Sequence, residues 1–164
     1  MSWQYDTVVQ SDEPSIQRFI DLWQERRNGQ PMPSRSAFVP EDLREWFGHV
    51  LILDVIDGGA DFRYRLVGVE ISRALGRDYT GRWMSQCSYD VPRAAVIAEF
   101  REVVEARRPV LRKGQVAWAP DQSWRSFRSV HAPLASDGHT VDKTLGVLLV
   151  GQYALDKLGP SGFR

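Results

Sequence analysis

FRYRLVGVEISRALGRDYTGRW, residues 62–83, carries two periodicities in succession, and the change from one to the other decides the fold. Phe62, Tyr64 and Leu66 alternate with Arg63, Arg65 and Val67, the period-two pattern of a half-buried strand with one apolar face and one bearing guanidinium groups. After Gly68 the period lengthens. Val69, Ile71 and Leu75 suit a helix of one or two turns that Gly76 can terminate, and Asp78-Tyr79-Thr80-Gly81 supplies turn chemistry before Trp83. Strand, short helix, glycine turn and aromatic side chain in so few residues make a unit suited to roofing a small pocket.

Upstream, His49 to Val55 is a nearly continuous apolar run, as expected for a strand covered on both faces. Asp57-Gly58-Gly59 joins it to the strand at Phe62, which predicts an antiparallel hairpin. Something must cover the second face of the first strand. Ile16, Phe19, Ile20 and Trp23 form one face of a helix opened by Pro14-Ser15 and stopped at Asn28-Gly29, and this helix is the natural cover. Pro40 starts a further short helix with Leu43, Trp46 and Phe47 expected inward, and Gly48 ends it.

Downstream, Val96, Phe100, Val103 and Val104 define the apolar face of a long helix that begins near Asp90-Pro92 and ends at Arg108-Pro109. Val110 to Trp118, Trp124 to Leu134 and Leu145 to Gln152 read as strands, separated by turns at 119–123 and 136–139. The order is helix, helix, two strands, short helices, long helix, three strands. An α+β domain with a five-stranded antiparallel sheet follows.

At 164 residues the chain suits one domain with its own core. Its expected divisions are a loose arm over 1–13, a helical segment over 14–48, the core over 49–152 and a tail over 153–164. Formal net charge is zero, so no global field draws the chain to nucleic acid or to an acidic membrane. Nucleic-acid binding would need Arg107, Arg108, Arg112 and Lys113 to join other basic residues on one face. Cys87 is the single cysteine, which excludes an intrachain disulfide and a cysteine-built zinc site and suits a reducing cytoplasm. The N-terminus lacks a basic and apolar leader and no run approaches a membrane span, so a cytoplasmic chain without membrane contact is expected.

Three motifs stand in order: Met32-Pro33-Ser34-Arg35, Tyr64-Arg65-Leu66-Val67-Gly68 and Gly76-Arg77-Asp78-Tyr79-Thr80-Gly81. In order and separation they resemble small single-domain bacterial proteins of the PAS domain superfamily, over roughly residues 15–152. The resemblance implies a sheet of strand order 2-1-5-4-3, with the long helix crossing one face and enclosing a pocket. It also implies a sensory, ligand-binding or adaptor role, and no particular ligand. The chain departs from the cofactor-binding branches. Cys87 stands in SQCSYD rather than in the flavin photosensor's Asn-Cys-Arg-Phe-Leu-Gln-like segment, and 91–108 lacks the histidine of the haem branches. No cofactor is therefore expected. No kinase, cyclase or DNA-binding segment follows the last strand, so output is expected through another chain.

Candidate ligand contacts come from the elements that enclose a pocket in the resembled fold: Tyr64 and Leu66, Trp83, Phe100, and Trp118. The same side chains would also serve simply to fill a core. Arg128 is a candidate anion clamp, with a surface arginine as the plain alternative. Phe19, Ile20 and Trp23 are the expected dimer or partner contact, whether they pack on their own sheet, on a second copy, or both. Catalytic signatures are missing: no Gly-x-Ser-x-Gly elbow, phosphate loop or His-Glu-x-x-His occurs, and His49, His131 and His139 have no ligand spacing for a metal. The competing reading is a small α+β-cone enzyme of the isomerase or dehydratase type, with Asp54 as base and Tyr64 as polarising donor. It requires Asp54 to point into the cavity; the plain alternative is an ion pair with an arginine such as Arg65.

Overall fold

Each segment with strand periodicity forms a strand: β1 (Val50–Ile56), β2 (Asp61–Val67), β3 (Val110–Gln115), β4 (Ser126–Leu134) and β5 (Lys143–Val150). In the computed structural model, which describes residues 10–116, 118 and 125–150, they make one antiparallel sheet in the order β2-β1-β5-β4-β3. Three α-helices accompany them, α1 (Pro14–Arg26), α2 (Val69–Leu75) and α3 (Arg93–Ala106). The expected α+β architecture and strand order are those observed. Residues 1–9 of the arm expected over 1–13, the turn at 119–123 with Trp124, and residues 151–164, which include the expected tail, lie outside the described residues. Among the described residues no helix is long and apolar enough to cross a membrane.

The central strands of the sheet, β1, β5 and β4, are covered on both faces, and the two covers differ. On the outer face α1, the 3₁₀ helix Pro40–Trp46 and the Met32-Pro33 segment close-pack against alternate residues of β1, β4 and β5. The Trp23 indole donates to the Pro133 carbonyl at 2.9 Å, and Trp46 donates to Ser15 Oγ at 2.9 Å while meeting Phe19 edge-on at 5.6 Å. Asp42 ties this cover together, accepting the Val39 N–H at 2.9 Å and pairing with Arg26 at 2.7 Å. The Met-Pro-Ser-Arg motif belongs to the same layer: Met32 is fully buried and the Pro33 carbonyl accepts the Ala135 N–H at 2.9 Å.

This arrangement corrects two expectations. Phe19, Ile20 and Trp23 are 0%, 0% and 1% exposed within the single chain, so α1 is the cover expected for the first strand, and the alternative use of this face as a dimer contact is corrected because the face is spent on its own sheet. Phe47 does not turn inward with Leu43 and Trp46 but is 58% exposed, because the 3₁₀ helix ends at Trp46 and the chain leaves it extended.

A bulge in the β1–β2 pair resets the alternation of the opening stretch. Tyr64 pairs with Leu53, yet Leu66 pairs with Ile52, which leaves Arg65 as the extra residue. Beyond it Val67 turns to the inner face and Leu66 to the outside. Gly68 follows because space demands it: a Cβ there would lie 2.3 Å from the Gly48 carbonyl oxygen. That oxygen accepts the Glu70 N–H at 2.8 Å, and the Gly68 N–H reaches the Val50 carbonyl at 2.8 Å. The glycine thus locks α2 to the start of β1.

Two outcomes check this account. Trp23→Ala should lower the free energy of unfolding in urea by about 3–5 kcal/mol, the cost of a large core truncation, while the sedimentation coefficient of the folded protein stays unchanged. Gly68→Ala should lower the free energy of unfolding by well over the ~0.5 kcal/mol typical of surface changes. A surface-like response at Gly68 would show that the Gly48 contact does not constrain the fold.

Candidate ligand-binding cavity

The inner face of the sheet carries large side chains that meet an irregular cover, and the two do not close on each other. A cavity of about 120 Å³ lies between the sheet, α2, α3 and the loop that joins these helices. Its floor is Leu51, Tyr64 and Val67 on one side and Phe127, Ser129 and His131 on the other, with Leu148 between. Ile71 and Leu75 of α2, with Val96 and Phe100 of α3, supply the roof.

Local chemistry places the loop. Gly76 ends α2 in the left-handed region at φ 78°, where a glycine carries no Cβ penalty. Asp78 then accepts both the backbone N–H of Thr80 at 2.9 Å and its hydroxyl at 2.6 Å, closing a tight turn. The returning chain pairs with the free edge of β2: the Tyr64 N–H donates to the Arg82 carbonyl at 2.9 Å and the Gly81 N–H to the Tyr64 carbonyl at 2.7 Å. Tyr79 is thereby directed inward, stacked on Tyr64 with ring centroids 5.2 Å apart. Tyr89 completes the cluster, 5.7 Å from Tyr79 and with its hydroxyl 2.6 Å from that of Tyr64. Burial pushes the Tyr64 and Tyr89 hydroxyls well above their usual range, so both stay protonated and neutral.

The opposite wall is built around His131. Its ring meets Phe100 edge-on at 4.9 Å, and its Nδ1 is buried without a hydrogen-bond partner. Gly146 stands directly across the ladder, and a Cβ there would come within 2.1 Å of that nitrogen. The small residue on β5 makes room for the imidazole on β4. Burial, with a smaller push from the Arg112 guanidinium, lowers the His131 pKa to about 3. Arg112 and Glu99 are the ionised groups of the lining; Arg112 is paired with the Glu102 carboxylate and reaches the Glu99 carbonyl at 3.4 Å.

Of the residues expected here, Tyr64, Phe100 and Trp118 line the cavity, Trp118 lying edge-on to Phe127 at 4.8 Å. Leu66, Trp83 and Arg128 do not. The bulge turns Leu66 outward, 41% exposed; Trp83 sits on the β2 edge in a bridge with Arg63, 38% exposed. Arg128 shares the outer face with Val130 and pairs with Asp12 at 2.7 Å, which corrects its assignment as an anion clamp in the pocket. Asp54 is likewise on the outer side of β1, 3.2 Å from Lys143 and 3.8 Å from Arg65. The condition set for an Asp54-based enzyme is not met. Among the described residues no group of three His, Cys, Asp or Glu side chains is placed to hold a metal ion.

Tyr79, Tyr89, Val67 and His131 were missed as cavity residues. Parity held a signal for the last, since Phe127, Ser129 and His131 alternate with Arg128, Val130 and Ala132. It could not say which set faced the cavity, because both faces of β4 are covered.

The buried imidazole has a pH consequence. The unfolded chain takes up a proton near the ordinary value of 6.5, while the folded chain refuses it until about 3. Within that window the unfolded state binds more protons, so this contribution to stability is complete above about pH 6.5 and declines as pH falls toward 3. His131→Leu should flatten the dependence of unfolding free energy on pH between about 4.5 and 6.5. Asp12, Asp42, Asp78 and Asp137, held below 3.8 by their hydrogen bonds, act at lower pH. An unchanged slope in denaturation measured across that window would show that His131 is not excluded from protonation.

A search of curated proteins returns no match. Compared with known families, residues 11–149 match the PAS domain, a span from the approach to α1 through nearly all of β5. The chain belongs to the PAS domain family.

Proposed function

We propose that the chain is a sensory module whose signal is a small molecule held between the sheet and α3, and whose output is a contact with a separate signalling protein. Membership of the PAS family supports a sensory or interaction role. The observation that carries the ligand half is the cavity itself: about 120 Å³ left open among side chains whose other neighbours are close-packed. Apolar cavities of about 150 Å³ bind a molecule the size of benzene. A plain core would be expected to collapse such a space or to fill it with a longer side chain.

A bound molecule would touch α2, α3 and the tyrosine loop at once, and it shifts the population toward whichever arrangement of these elements it holds more tightly. The partner reads that shift. A homodimer is one form of such pairing, and either contact lies away from the apolar face of α1, which the chain's own sheet occupies. The single cysteine, buried and unpaired, suits a reducing cytoplasm.

Native mass spectrometry and thermal shift against a metabolite collection test the ligand half. A bound compound at a hundred times its dissociation constant should stabilise the fold by about 2.7 kcal/mol. Val96→Trp, which puts a large ring into the space from α3, should abolish the response. An equal response in that variant, or none in the wild type across the collection, sinks the ligand half and leaves an interaction module.

A further inference from the structure

We propose that the cavity takes an uncharged, flat, unsaturated ring bearing one hydrogen-bonding atom, seated among the aromatic walls with that atom on the imidazole of His131. This rests on the reading of the cavity as a ligand site and specifies the chemistry of its occupant.

Shape comes from the aromatic rings. Tyr79 is stacked on Tyr64, while Phe100 and His131 meet edge-to-face, as do Trp118 and Phe127. Walls of this kind offer faces and edges to a planar ring and pack a branched aliphatic chain less well. The volume limits the ring system to one or two cycles.

Charge is decided by what the interior lacks. Tyr64, Tyr89 and His131 are all neutral, so the polar groups that meet at the aromatic walls bring no charge to compensate a ligand charge stripped of its water; the ionised members of the lining are Arg112 and the exposed Glu99. Arg112 is already engaged by Glu102 and by the Glu99 carbonyl. A carboxylate ligand would have to share with Glu102 a guanidinium whose charge that pair already matches, and an ammonium ligand could meet only the Glu99 carboxylate, which is exposed.

The polar atom is assigned by His131. A neutral imidazole has one donor and one acceptor nitrogen. With Nδ1 shut against Gly146 and unpartnered, Nε2 is the ring nitrogen left on the cavity side. An apolar occupant would seal that nitrogen from water with nothing in exchange, whereas a hydroxyl, carbonyl or ring N–H restores a bond.

The test is a matched panel of toluene, phenol, indole, acetophenone, benzoate and benzylamine, titrated into wild type and His131→Leu while chemical shifts of the Ile71, Val96 and Leu148 methyl groups are followed. In the wild type at least one neutral polar ring should bind tenfold or more tightly than toluene, benzoate and benzylamine. In His131→Leu that advantage over toluene should vanish while toluene itself still binds, which also reports that the variant is folded. Benzoate or benzylamine binding as tightly as the neutral rings, or a preference untouched by the substitution, overturns the ligand class and leaves the cavity as a site. If the variant does not fold, the wild-type ranking alone decides. No methyl shift with any of the six compounds overturns the site reading together with this one.

Discussion

A single sheet whose central strands are covered on both faces is the constraint from which the rest of the structure follows. Alternate residues of β1, β4 and β5 point to opposite sides, and both sets are largely buried, so each side must be given its own cover. The two covers are made of different material. α1, the 3₁₀ helix and the proline-bearing segment lie flat on the outer face and fill it with tryptophan, phenylalanine and methionine. The inner face receives a two-turn helix, a turn-rich loop and one longer helix, which meet it at different heights. The cavity is the remainder of that second packing problem.

Small residues set the geometry at both ends of the cavity. Gly68 admits the Gly48 carbonyl and thereby fixes where α2 starts, which sets the roof above Leu51 and Val67. Gly146 admits the His131 ring, which places a neutral polar group on the floor beneath α3. Between them the Tyr64–Tyr89 hydroxyl pair and the stacked Tyr79 ring form a wall whose polar atoms face one another. The result is an interior that is aromatic and uncharged, with ionised residues confined to Glu99 and Arg112.

Much of this was legible in residues 62–83. The change of period at Gly68, the stop at Gly76 and the Asp78 turn all appear in the fold at those positions, because each is a local backbone requirement. The cavity wall was legible in part. Tyr64 and Phe100 were placed by their elements, and Trp118 by a strand expected over 110–118 that ends at Gln115. Leu66 was lost to a bulge that strand periodicity cannot register, since one extra residue reverses the parity of everything beyond it. Arg128 and His131 were exchanged for a related reason: on a strand covered on both sides, polarity no longer distinguishes in from out.

The sequence by itself therefore determined the order and type of the elements, the hairpin, the caps and the need for a second cover over the first strand. Those properties depend on neighbours a few residues apart, where φ/ψ preference and periodicity act. Only the tertiary structure decided that α1 spends its apolar face on its own sheet, that Asp54 pairs with Lys143 and Arg65 outside the cavity, and that the inner packing stays incomplete. These depend on which surfaces meet across long stretches of chain, as when the Trp23 indole finds the carbonyl of Pro133, 110 residues further on. No local pattern encodes such a meeting; it is settled by how the volumes on each face of the sheet add up.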